Sequence, residues 1–213
     1  MILSRKQQYY NDYLNALLVG KWANCSDIIS QYLSEYDNSI ELYEDIIKKS
    51  MYEIGHLWEF NKISVASEHL ASSITESIIN RIFYNIIPYK QTNKQILLAC
   101  VEKEQHQIGL KMVADVFERY GWTTQILGAN TPVKDLINMT YLIKPDIIGL
   151  SVTLHFDLPN LEKMISQIRE QFPDIPIIIG GQAFTRGGYE AFTNFSNIQY
   201  FPDLFSIEEY IKQ

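Results

Sequence analysis

Residues 95–101 read QILLACV and pass directly into EKEQHQIG at 102–109. A continuous apolar run of that length suits a strand buried on both faces, and the polar stretch closing on Gly109 reads as the loop into a helix. The same unit recurs outward along the chain. WTTQILG (122–128), IIGLSV (147–152) and PIIIGG (176–181) repeat the apolar run, with NIQYF (197–201) a weaker fifth. Helix-periodic stretches separate them at about 107–120, 133–143, 159–171 and 184–194. This alternation predicts an open, parallel, five-stranded sheet with right-handed crossovers, an α/β doubly wound domain of Rossmann-like (flavodoxin-like) type over 89–213. Ligands in such sheets sit beyond the carboxyl ends of the strands, so the loops after strands one, three and four should carry the chemistry.

Upstream of Pro88 the period is helical. Tyr10, Tyr13, Leu14, Leu17 and Leu18 form one stripe, closed by Gly20. A second helix is expected from Trp22 to Tyr36, followed by turn and N-cap chemistry at Asp37-Asn38-Ser39. Leu42, Ile46, Ile47, Met51, Ile54 and Trp58 mark a third helix. Ser64 should cap a fourth that reaches Ile86 or Ile87, where the residue before a proline leaves the helical region. Short loops between these helices predict a four-helix bundle over 1–88.

Composition narrows the function classes. With 46% hydrophobic and 20% charged residues, the 213-residue chain reads as an ordinary folded protein. A net charge of −7, with basic residues adjacent only in pairs such as Lys48-Lys49, argues against direct nucleic-acid binding by this chain. The N-terminus lacks the apolar core of a signal peptide, and no apolar run approaches the ~20 residues that span a bilayer. Cys25 and Cys100 match no metal or redox spacing and read as free thiols in a reducing compartment. A cytoplasmic protein without membrane contact is expected.

The loop after the first strand lacks the glycine pattern of a dinucleotide site. It offers instead an imidazole, His106, with a carboxylate, Glu104, two positions earlier. A carboxylate on one ring nitrogen fixes the tautomer and strengthens donation from the other to a transition metal. Gln105 lies between them, and Gly109 lets the helix begin close to whatever occupies the loop. The second loop begins Ser151-Val152-Thr153-Leu154, and Gly180-Gly181 opens the third, where a flat or extended ligand could approach. Taken singly, these residues have ordinary readings: a solvated loop His, polar strand ends, a tight turn.

Taken together, E-Q-H-Q-I-G (104–109), S-V-T (151–153) and G-G (180–181) resemble the D-x-H-x-x-G, S-x-L/T and G-G pattern of the B12-binding domain found in methionine synthase and methylmalonyl-CoA mutase. Glu104 stands where that pattern has Asp, one methylene longer. The resemblance implies base-off cobalamin binding. The cofactor's nucleotide tail would enter a slot between sheet and helix, and His106 would ligate cobalt from below.

The helical half resembles the cap that precedes this domain in methionine synthase, corrinoid methyl carriers and light-sensing B12 regulators. Trp58, nine residues, then Glu68-His69 matches the spacing of the last group, with Val65 beside them. In that group these positions shape the pocket for the adenosyl group. Their ordinary readings are a core Trp and surface residues of a helical first turn. The resemblance implies a non-enzymatic adenosylcobalamin sensor, a photoreceptor module of transcriptional regulation, acting through a protein partner or self-association, or as part of a longer regulator. The alternatives are a corrinoid methyl carrier holding methylcobalamin and a cofactor-free interaction domain.

Overall fold

The computed structural model describes residues 4–83, 88 and 90–213. The chain divides into two compact units, Met1–Asn85 and Ile86–Gln213.

The first unit is helical. It comprises α1 (Arg5–Leu18), α2 (Trp22–Tyr36), α3 (Ser39–Leu42), a π-helical turn (Tyr43–Lys48), α4 (Lys49–Glu59) and α5 (Val65–Phe83). The backbone stays in the right-handed helical region through both junctions of the π turn, so residues 39–59 form one rod and the unit is a bundle of four. Side-chain caps start three of the rods: Ser4 accepts from the Gln7 amide, Asn38 from Glu41 and Ser64 from Ser67. Gly20, at φ +66°, turns the chain out of α1 with Leu70 packed where its Cβ would stand. Tyr13, Leu17, Tyr32, Leu42, Tyr43, Ile46, Ile47, Ile54 and Ile79 fill the core. The expected end of the last rod at Ile86 or Ile87 lies outside the described residues. The π turn was not expected, because Leu42, Ile46, Ile47 and Ile54 share the buried face that an unbroken α-helix would also give them.

The second unit is a parallel sheet of β1 (Gln95–Cys100), β2 (Thr123–Gly128), β3 (Ile147–Ser151), β4 (Ile177–Gly180) and β5 (Ile198–Tyr200), in the order β2-β1-β3-β4-β5. That is the flavodoxin-like order, with the reversal at β1 and β3. Leu97, Ala99 and Val101, with Ile148 and Leu150, bury one face against α7 (Val133–Ile143) and α8 (Leu158–Gln171). Alternate residues Ile96, Leu98 and Cys100 point to the other face, where α6 (Ile108–Arg119) packs.

Two features of this unit depart from expectation. No α-helix forms over 184–194: two 3-10 turns, Gln182–Arg186 and Tyr189–Phe192, stand there. Gly187 and Gly188 between them adopt φ +86° and +99°, which ends any helix, and Phe184, Phe192 and Tyr200 pack together beneath. The chain also ends in an additional short helix, α9 (Leu204–Ile211), capped by Asp203 and packed against α6. Among the described residues, no helix is long and apolar enough to cross a membrane.

Candidate functional site

The carboxyl ends of β1 and β3 meet at the switch point. The Val101 amide donates to the Ser151 carbonyl (3.1 Å), and the chain then turns sharply, with Lys103 at φ +74° and the Glu104 amide donating to the Val101 carbonyl. The turn drives the Glu104 side chain inward, where it is fully buried. Its Oε1 accepts from the His106 amide at 2.8 Å and lies 2.5 Å from His106 Nδ1. Its Oε2 accepts from the amides of Thr153 (2.7 Å) and Leu154 (3.3 Å) in the loop after β3. The extra methylene of Glu relative to Asp therefore does not keep the carboxylate from the imidazole.

Burial alone would raise the Glu104 carboxyl, but the hydrogen bonds from the His106 ring, the His106 amide and the Thr153 amide together outweigh it. The net effect holds the group below its ordinary value of 4.5. A charged carboxylate facing Nδ1 requires Nδ1 to carry the proton. In the neutral ring the lone pair then resides on Nε2, on a side chain that is 48% exposed. Cys100 Sγ, 3.4 Å from the His106 carbonyl, steadies the same segment from below. The arrangement orients one imidazole that could serve as a single donor to a metal. Among the described residues no group of three His, Cys, Asp or Glu gathers to hold a metal ion.

The other expected residues of this unit fall around that pair. Ser151 ends β3, in register with Cys100 on one side and Gly180 on the other. Thr153 and Leu154 join through their amides, not their side chains. Gly181 has φ +120°, and a Cβ there would stand 2.0 Å from the Val152 carbonyl oxygen, so the tight turn itself demands glycine. Gly109 differs: among the described residues a Cβ there would meet nothing within 4 Å, so packing does not account for its lack of a side chain. Gln105 is exposed beside His106. Sequence reasoning did not single out Asn130, whose amide donates to the Glu104 carbonyl and whose Oδ1 accepts from the Lys103 amide. Its only sequence signal is the turn composition Gly-Ala-Asn-Thr-Pro at 128–132. Nor did it give His155 a role. Its Nδ1 lies 3.0 Å from the Ala183 carbonyl, linking the loops after β3 and β4.

In the helical unit, Trp58 stands in the last turn of α4, and Val65, Glu68 and His69 stand at the start of α5. The Asn61 amide donates to the Trp58 carbonyl and that of Lys62 to Leu57, closing α4, and Ser64 opens α5. Trp58 is 48% exposed, which removes its reading as a core anchor, and Val65 is exposed with it. Glu68 is held by the Ser72 hydroxyl at 2.7 Å and lies 3.6 Å from His69 Nε2.

Two family models, each described as a B12 binding domain, match residues 9–82 and 94–192. The chain is 24% identical over 159 residues to the HTH-type transcriptional repressor CarH of Myxococcus xanthus, covering 74% of this chain and 52% of that protein. It is 22% identical over 186 residues to dimethylamine corrinoid protein 1 of Methanosarcina acetivorans, covering 85% and 86% respectively. The chain spans about half the length of the curated repressors it matches. Among solved structures, the monomethylamine corrinoid protein of Methanosarcina barkeri superposes with a TM-score of 0.81 at 10% identity, covering 96% of this chain and 97% of that one, a likeness of fold. With both of its units matched and the histidine, serine and glycine motifs at the ends of β1, β3 and β4, the chain belongs to the B12-binding domain family.

Proposed function

We propose that this chain is a sensor module that binds adenosylcobalamin base-off, with His106 Nε2 as the lower ligand to cobalt. The observation that carries the reading is the buried Glu104 carboxylate, which lies 2.5 Å from His106 Nδ1 and so favours the tautomer whose lone pair is on Nε2. The open space at Gly109 fits the approach of a large group to this loop. The bound cofactor supplies a photolabile cobalt–carbon bond. Glu104 keeps the imidazole in one tautomer, and the amides of Thr153 and Leu154 keep Glu104 charged. Gln105, Gly109, Ser151, Thr153, Leu154, Gly180 and Gly181 are assigned to contact with the cofactor in the sheet unit. Trp58, Val65, Glu68 and His69 are assigned to recognition of the upper ligand. The exposure of Trp58 and Val65, apolar side chains on either side of the α4–α5 turn, supports that assignment. Signalling would pass to a protein partner or through self-association.

A second reading, a corrinoid methyl carrier, is favoured by one observation: the likeness to dimethylamine corrinoid protein 1 extends over 86% of that protein. The absorption spectrum of the purified chain, offered adenosyl- and methylcobalamin in darkness and after green light, separates the two. Preferential binding of adenosylcobalamin, with release or a changed spectrum on illumination, is expected. Preference for methylcobalamin would move the assignment to the carrier, and failure to bind either would leave an interaction domain.

A further inference from the structure

The loop after β2 grips the loop that carries Glu104 and His106. Asn130 sits at φ +47°, a left-handed conformation open mainly to Asn, Asp and Gly. In that conformation its amide donates to the Glu104 carbonyl at 2.7 Å, and its side-chain Oδ1 accepts from the Lys103 amide at 2.8 Å. Lys103 is itself left-handed at φ +74°, so the side chain of Asn130 holds a disfavoured peptide at the point where the chain turns to bury Glu104. The β2 loop is stiffened from within by the buried Thr131 hydroxyl, which donates to the Gly128 carbonyl at 3.1 Å. Gly128 makes a further contact: a Cβ there would stand 2.8 Å from Gln107 Oε1, so the Gln107 side chain rests against the glycine. The β2 loop therefore touches the β1 loop on both sides of His106, at Lys103–Glu104 and at Gln107. The β3 loop holds the Glu104 carboxylate through Thr153 and Leu154, and the β2 loop holds its main chain.

We infer that Asn130 is a positioning residue for the cobalt ligand. By fixing the Lys103–Glu104 peptide, it sets where the Glu104 carboxylate meets His106 Nδ1 and hence where Nε2 points. The inference rests on the proposed ligation by His106 for its functional meaning, but its geometric part concerns this chain alone.

The test uses the full chain with Asn130→Ala, Asn130→Gly and Asn130→Asp. Glycine keeps the left-handed backbone without the acceptor, and aspartate keeps both. In the cofactor-free protein, imidazole ¹⁵N spectra should show His106 as a single Nδ1-protonated tautomer in the wild type and Asn130→Asp. A tautomer mixture is expected in Asn130→Ala and Asn130→Gly. Affinity for hydroxocobalamin should fall in the latter two by up to about tenfold, the low end of the loss expected when a ligand's outer partner is removed outright, because Asn130 acts on His106 through Glu104. A wild-type tautomer and wild-type affinity in Asn130→Gly would overturn the inference, whatever Asn130→Ala shows, because the acceptor would then have no role. If the wild type itself fails to bind hydroxocobalamin, the proposed function fails, and the tautomer series alone still decides the clamp.

Discussion

Glu104 carries no exposed surface, yet its carboxylate faces four N–H donors, three from the backbone and one from the His106 ring. Such a group is more acidic folded than unfolded. Its contribution to stability is complete above the unfolded value of 4.5 and is lost as pH falls through the lower folded value. The urea midpoint of the cofactor-free wild type should therefore exceed that of Glu104→Gln at pH 7, and the gap should close as the solution is taken well below pH 4.5. A gap independent of pH would mean that the carboxylate is not charged in the fold. At the neighbouring position, His106→Ala should weaken cobalamin binding greatly or leave a different lower ligand, read by titration with spectral detection. Unchanged affinity and spectrum would remove the proposed ligation.

At the scale of elements, the two glycines at the ends of the motif separate turn geometry from ligand space. Gly181→Ala places a Cβ against the Val152 carbonyl at a φ that L-residues rarely adopt, and should cost at least about 1–3 kcal/mol of stability, measured by urea unfolding. Gly109→Ala, in the open first turn of α6, should leave the cofactor-free protein as stable or ~0.5–1 kcal/mol more stable, since alanine favours the helix. It should nevertheless weaken cobalamin binding, because the methyl group takes up space on the side left open. Retained affinity would show that this space is not used. The α4–α5 turn offers a similar contrast. A core Trp replaced by Ala costs ~3–5 kcal/mol, but the half-exposed Trp58 should cost far less. Trp58→Ala should weaken adenosylcobalamin binding more than hydroxocobalamin binding, and equal weakening would remove its assignment to the upper ligand.

For the whole molecule, a cofactor that binds only the folded chain must raise its stability by mass action. The gain is about 2.7 kcal/mol at a free concentration one hundred times Kd. In darkness, adenosylcobalamin should raise the Tm of this chain more than methylcobalamin at equal concentration, and green light should remove most of the difference. The reverse order, insensitive to light, is the outcome expected of a methyl carrier. With a net charge of −7, the chain should show no salt-dependent affinity for duplex DNA in a gel-shift experiment.

Much of this was legible in the amino-acid order, for a physical reason: burial imposes a period. Runs such as QILLACV and IIGLSV have the length and continuity of strands covered on both faces, the stripe from Tyr10 to Leu18 has the period of a helix burying one side, and their alternation leaves few topologies. The spacing of Glu104 and His106 carried the chemistry in the same way, since both are side chains on one short loop. Tertiary structure alone decided what holds that pair. The donors from Thr153 and Leu154 are backbone amides, present in every residue but proline, and they leave no mark in a sequence. Asn130 reaches Lys103 only because β2 lies beside β1, and the sheet order that arranges this is a property of the packed fold. Likewise α9, only eight residues long, owes its place to packing against α6 more than to any period of its own.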